Sequence, residues 1–136
     1  MSHFTKCDRA KIVDPDAFED ACKTLGLTDI RKNEEMRGYM GNKKAADVMA
    51  GFPGGRYDVG IIKNEQNGYD LVADFWGVNC ELPKDWNGER TETGIQDAII
   101  RETARHTVMR QLEQEGFMGE VEESADHSLT LTLTRY

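Results

Sequence analysis

The chain has 136 residues, of which 38% are hydrophobic and 31% charged, with a formal net charge of −8. That length suits one domain able to bury a core without staples, and the acidity argues against nucleic acid or anionic lipid as the main partner. No apolar run approaches membrane-spanning length, and three scattered cysteines, Cys7, Cys22 and Cys80, supply no disulfide framework, so the expectation is a cytosolic, reduced protein.

Residues 2–13 read as a first strand. Asp14-Pro15 then opens a helix: Asp14 can cap it, and proline at the first helical position loses no hydrogen bond. Phe18, Ala21, Cys22 and Leu25 share one face of that helix, and Gly26 ends it through a left-handed turn. Residues 30–40 are expected as a second strand with charged flanks, followed by a turn at Gly41-Asn42. Residues 44–50 suit a short strand or a single helical turn. Phe52-Pro53-Gly54-Gly55 breaks the chain.

Two apolar runs, Tyr57 to Lys63 and Tyr69 to Trp76, flank Asn67-Gly68, the strongest short hairpin signal because both turn residues must accept positive φ. A two-residue turn sets Gln66 opposite Tyr69, Ile61 opposite Asp74 and Val59 opposite Trp76. One face then carries Gly60, Ile62, Leu71, Ala73 and Phe75. The other carries Val59, Ile61, Val72 and Trp76, with Lys63, Asp70 and Asp74 among them. Neither face is cleanly polar, which predicts central strands with helices over one face and partly apolar cover over the other.

Residues 77–94 read as a long polar loop containing an isolated Trp86. Residues 95–115 form a long helix in which Ile100, Ala104, Val108 and Leu112 repeat every four residues and are expected to face the sheet, while Ile95, Ile99, His106 and Met109 lie on another sector. After Gly116, Phe117–Glu123 and Ser128–Tyr136 suggest a final hairpin with Leu129, Leu131 and Leu133 alternating with threonines. The order β-α-β-β-β-β-α-β-β predicts an α+β single domain: a largely antiparallel sheet of about six or seven strands with two helices packed mainly on one face.

Several fragments occur in an order that carries a resemblance. Met1-Ser2-His3-Phe4 leads into the first strand, and Arg37-Gly38-Tyr39 precedes the middle strands. Tyr57-Asp58-Val59-Gly60 is followed by the run from Tyr69 to Trp76, and Ala104 to Phe117 contains His106, Val108 and Gly116-Phe117. With these the chain resembles, over nearly its whole length, the plastid and bacterial family called hypothetical chloroplast reading frame thirty-five, a domain of unknown function. The stretch 78–93 departs from it in length and charge, and 49–56 in glycine content. The resemblance implies no activity; its bacterial members look like companions of AAA+ ATPases in shared gene clusters, which implies an adaptor or substrate-presenting role.

Among candidate site residues, Asp74 stands out as a carboxylate amid apolar neighbours, which requires a partner or a raised pKa; Arg37 is the candidate partner. The first expectation is a paired structural or strand-end aspartate; the functional reading is a polar anchor in a binding patch, whose loss weakens binding more than stability. Trp76 and Trp86 suit interface anchors, since tryptophan is enriched at hot spots, but Trp76 reads first as a core residue, whereas Trp86 is expected to be exposed. His106 sits mid-helix, and no motif places a nucleophile beside it. His3 and Cys7 share a strand face but lie about 13 Å apart, too far for one metal ion. The cluster Arg31, Lys32, Arg37, Lys43 and Lys44, interrupted by Glu34 and Glu35, reads as a solvated face, and Gly54-Gly55-Arg56 lacks what a phosphate loop needs. The first reading is therefore a non-enzymatic binding module without metal or cofactor, an accessory to a protein partner such as an AAA+ ATPase. The alternative is a small enzyme or ligand binder with Asp74, His106, Arg37 and Tyr39 around one pocket. A homodimer through the last strand, if it lies at the sheet margin, is a third possibility.

Overall fold

A computed structural model describes residues 3–123 and 129–135. The chain is α+β. Strands β1 (Thr5–Ile12), β2 (Asp29–Arg37), β3 (Lys43–Gly51), β4 (Asp58–Lys63) and β5 (Tyr69–Ala73) make an antiparallel five-stranded sheet in the order β1-β5-β4-β3-β2. Helices α1 (Pro15–Thr24), α2 (Phe75–Cys80) and α3 (Glu92–Gln114) complete the main body. Strands β6 (Phe117–Glu123) and β7 (Leu129–Arg135) pair only with each other. The expected single sheet is thus divided, and the expected two helices are three. The margins of the main sheet are β1 and β2, so the last strand is not at its margin. Ser128 and Tyr136, expected as the ends of that strand, lie outside the described residues.

Local chemistry explains the elements. The Asp14 carboxylate accepts hydrogen bonds from the Asp16 and Ala17 N–H groups at 3.0 and 3.2 Å, capping α1 above Pro15. Gly26 leaves the helix at φ +92°. Residues 44–50 are strand: Val48 and Ala50 face Ile61 and Val59 across the β3–β4 ladder.

The central hairpin differs from expectation in one consequential way. Its connection spans 64–68, because the Asn64 side chain accepts from the Gln66 and Gly68 N–H groups at 2.9 and 3.1 Å and builds the turn before Asn67 is reached. Val59 now faces Ala73 and Ile61 faces Leu71. An odd loop inverts one strand relative to the other. Val59, Ile61, Leu71 and Ala73 therefore share the face beneath the helices, with Phe18, Cys22, Ile95 and Ile99. Val72 lies on the opposite face with Met36, Ala46 and Met49, flanked by Phe4 and Ile62. That second face covers itself. Met36 lies across Gly60, whose Cβ, if present, would collide with the Met36 sulfur. The expected grouping of Val59 and Ile61 with Val72 and Trp76 on one open face does not hold: β5 ends at Ala73, and Asp74 and Trp76 belong to α2.

On α3 the sheet-facing row is Ile95, Ala98, Ile99 and Thr103, all buried, not Ile100, Ala104, Val108 and Leu112. Ile100 sits at the core margin and Ala104 is exposed. Both rows repeat at helical spacing, and α1 beside α3 decides between them. Arg110 reaches Asp14, Asp16 and Asp20 of the α1 end at 3.4, 3.4 and 3.2 Å, which fixes the roll of α3.

Candidate functional site

Two buried carboxylates organise one end of the main sheet. Asp58, at the start of β4, has its side chain shielded from solvent and is gripped by Arg31 and Arg37. The Arg37 backbone N–H donates to it at 2.8 Å, its Nε at 3.1 Å and its Nη2 at 3.0 Å. Arg37 Nη1 also donates to the Gly55 carbonyl at 2.9 Å. Burial pushes the Asp58 carboxyl up, but the Arg37 and Arg31 hydrogen bonds outweigh it and hold the group below the usual carboxylate range. The same partnership raises the Arg37 guanidinium.

Asp74 is the cap of α2 and is 1% exposed. One of its oxygens accepts from the Gly77 N–H at 3.1 Å, and the other from the Tyr39 N–H at 3.1 Å. Arg37, expected as its partner, is committed to Asp58. Asp74 is thus a buried tie between α2 and the turn after β2.

That turn, a single 3-10 turn at Tyr39–Gly41, closes with the Asn42 N–H donating to the Tyr39 carbonyl at 3.1 Å. Met40 occupies the left-handed region at φ 53°, unusual for a side-chain-bearing residue, and projects outward. Tyr39 meets Trp76 edge to face, with ring centroids 5.9 Å apart and planes at 87°. Among the described residues the exposed large hydrophobics are Val13, Met40 at 83% and Trp76 at 48%. Two of these three therefore border Tyr39. Tyr57 packs over Gly77, where any Cβ would overlap its ring. Burial, and then the nearby Asp74, push its hydroxyl up. Beside this patch runs a groove of about 550 Å³ lined by Arg37, Tyr39, Met40, Lys43, Arg56 and Tyr57 among others.

The remaining sequence candidates lie elsewhere. Trp86, expected to be exposed, is partly buried against the core and meets Phe52 edge to face at 6.5 Å. Its loop is built, not loose: the Trp86 backbone N–H donates to the Pro83 carbonyl at 3.0 Å, and Arg90 donates to the Pro83 and Lys84 carbonyls at 2.9 Å. The expected loop 77–94 is shorter as well, because α2 and α3 take its two ends. His106 stands on α3 against Thr24 and Glu102. Hydroxyl, imidazole and carboxylate suggest a relay, yet both oxygens face the same nitrogen, Nε2, at 3.0 and 3.7 Å. The Thr24 hydroxyl donates to the Asp20 carbonyl at 3.0 Å, so it accepts from the histidine. A nucleophile–base–acid relay uses the two ring nitrogens separately, and this arrangement does not. Among the described residues no group of three His, Cys, Asp or Glu side chains is placed to hold a metal ion, and no helix is long and apolar enough to cross a membrane. Burial pushes the Cys22 thiol up, while Cys80 is exposed.

The structure thus gathers Tyr39, Trp76 and the supporting Asp74 in one place, with Arg37 beside them, and leaves His106 and Trp86 apart. A family model described as a protein of unknown function, DUF1257, matches residues 21–132. The chain belongs to that family. The DUF1257 match runs from within α1 into β7 and includes Arg37, Tyr39, Asp58, Asp74, Trp76, Trp86 and His106. No curated protein and no solved structure matches the chain.

Asp58, Tyr57 and Met40 were missed in the sequence as site-builders. Asp58 faces Gly51 across the β3–β4 ladder, and a glycine opposite a strand aspartate is too common a pattern to notice alone. Met40, an apolar residue between Gly38 and Gly41, did carry a signal: a large side chain in a glycine-flanked turn has little choice but to be exposed.

Proposed function

We propose that this DUF1257 domain is a cytosolic, non-enzymatic binding module that docks a protein partner through Tyr39, Met40 and Trp76. The observation that carries this reading is the pairing of two exposed large apolar side chains on backbone pinned by one buried carboxylate. Exposed hydrophobics scattered singly need no explanation; two that border one tyrosine match the composition of protein interfaces, where tryptophan, tyrosine and methionine are enriched. The resemblance to the chloroplast reading frame thirty-five family supplies the partner class, an AAA+ ATPase, for which the domain acts as an adaptor. The binding-module reading is supported further by how the residues of the enzyme alternative are engaged. Arg37 is spent on Asp58, Asp74 on two backbone N–H groups, and His106 faces Thr24 on another part of the surface.

The test is crosslinked affinity capture from native lysate with quantitative mass spectrometry. Wild type is compared with a Met40→Ser, Trp76→Ala double variant and with Val13→Ser as a matched exposed-apolar control. The expected result is a defined set of proteins, including an ATPase subunit, lost in the double variant and retained with Val13→Ser. Identical capture by all three chains overturns the patch as the contact.

A further inference from the structure

The groove beside Tyr39 has a charge that the rest of the chain does not. Three of its lining residues are cations, Arg37, Lys43 and Arg56, and none is a carboxylate, in a chain whose formal net charge is −8. Arg37 is neutralised by Asp58 and lies 3.7 Å from Asp29. Lys43 and Arg56 differ: both side chains are exposed and, among the described residues, neither has a carboxylate within ion-pair distance, the nearby Glu81 carboxylate accepting instead from the Arg56 and Tyr57 backbone N–H groups at 2.6 and 3.1 Å. The same groove is lined by Tyr39, Met40 and Tyr57. An unbranched thioether adapts to varied partners, and tyrosine rings give wide contact at small entropic cost.

We propose that this groove takes an acidic peptide segment of the protein partner in which an apolar side chain neighbours Asp or Glu, the apolar side chain lying against Tyr39, Met40 and Tyr57 and the carboxylates meeting Lys43 and Arg56. The inference rests on the docking patch proposed above and specifies its partner's chemistry. Two cations fit a segment with more than one carboxylate. A single-stranded nucleic acid would also stack on aromatics and meet cations. Its affinity, however, depends on neutralising several phosphates, and two cations without ion pairs in an acidic chain favour the peptide.

The probe is a fluorescein-labelled peptide, blocked at both ends, with a central phenylalanine between pairs of glutamates; binding to the full chain is read by anisotropy. Saturable binding is expected, weakened by salt because the contacts are exposed. It should fall about tenfold in a Lys43→Glu, Arg56→Glu variant, as two exposed ion pairs become repulsive, and fall less in Lys43→Gln, Arg56→Gln. A glutamine-for-glutamate peptide and an alanine-for-phenylalanine peptide should each bind more weakly. Unchanged thermal unfolding of the charge variants is the folding control, since both side chains are exposed. No binding of the acidic peptide, equal binding of its glutamine version, or tighter binding of an oligothymidine competing at the same site overturns the inference. The two proposals fail separately. If the Met40→Ser, Trp76→Ala variant loses its partners while the charge-reversed variant retains them, the patch stands and the acidic segment does not. If capture is unaffected by either variant, both fall.

Discussion

Asp58 and Asp74 are both buried carboxylates at the same end of the sheet, and they are satisfied by opposite means. Asp58 is met by two guanidinium groups and one backbone N–H. Asp74 is met by two backbone N–H groups and no cation. The first is a charge knot between β2 and β4; the second is a helix cap that reaches sideways to hold a turn. The comparison teaches that a buried aspartate need not mark a site: one ties strands together, and the other determines where Tyr39 and Trp76 stand.

The largest expected effect breaks the knot. Asp58→Ala leaves two arginines without their carboxylate, and loss of one partner from a buried pair costs about 3 kcal/mol or more; urea unfolding measures it. Acidity probes the same group. Because the folded pKa is depressed, the Asp58 contribution is fully present above the ordinary carboxylate range, near about 4, and is lost as pH falls through the lower folded value. Unfolding free energies followed from neutral to acidic pH should fall less steeply at the acidic end in Asp58→Asn than in wild type. Parallel curves for the two chains would remove Asp58 from the account.

Asp74→Ala comes next. Two N–H groups lose their acceptor, at a cost of about 2 kcal/mol. The sharper readout is local: amide exchange should accelerate at Tyr39 and Gly77 more than in β3 or β4. Uniform acceleration across the sheet would mean that the carboxylate supports the fold in general and not this turn. Smaller still is the contrast between the tryptophans. Trp86→Ala should destabilise by about 2 kcal/mol, since it removes ring packing on Phe52 and the core. Trp76→Ala should cost under about 1 kcal/mol. Acrylamide should quench Trp76, measured in Trp86→Phe, more strongly than Trp86, measured in Trp76→Phe. Equal quenching would erase the difference between the exposed ring and the sheltered one.

Much of the fold was legible residue by residue. Asp14, Pro15 and Gly26 bracket α1 because capping, proline geometry and the left-handed turn are local. The sheet faces were not legible, because they hinged on whether Asn64 or Asn67-Gly68 turned the chain, and the side-chain hydrogen bonds of Asn64 decided it. The roll of α3 was hidden for a related reason. Two rows of comparable apolarity compete, and Arg110 against the α1 aspartates selects one. At the candidate site, Tyr39, Asp74 and Trp76 were visible as unusual residue types in strand-like surroundings, but Asp74 was matched to the wrong partner. Arg37 has a closer carboxylate, which only the pairing of β2, β3 and β4 brings beneath it.

By itself the sequence determined the class of the domain, the bounds of most elements and the absence of a disulfide framework, because these follow from spacing, caps and composition within a few residues. The tertiary structure alone decided which apolar face lies under helices, which arginine answers which aspartate, and that Met40 and Trp76, distant along the chain, stand beside one tyrosine. Those are questions of register and of competition among distant groups for the same hydrogen bond, and no local pattern contains their answer.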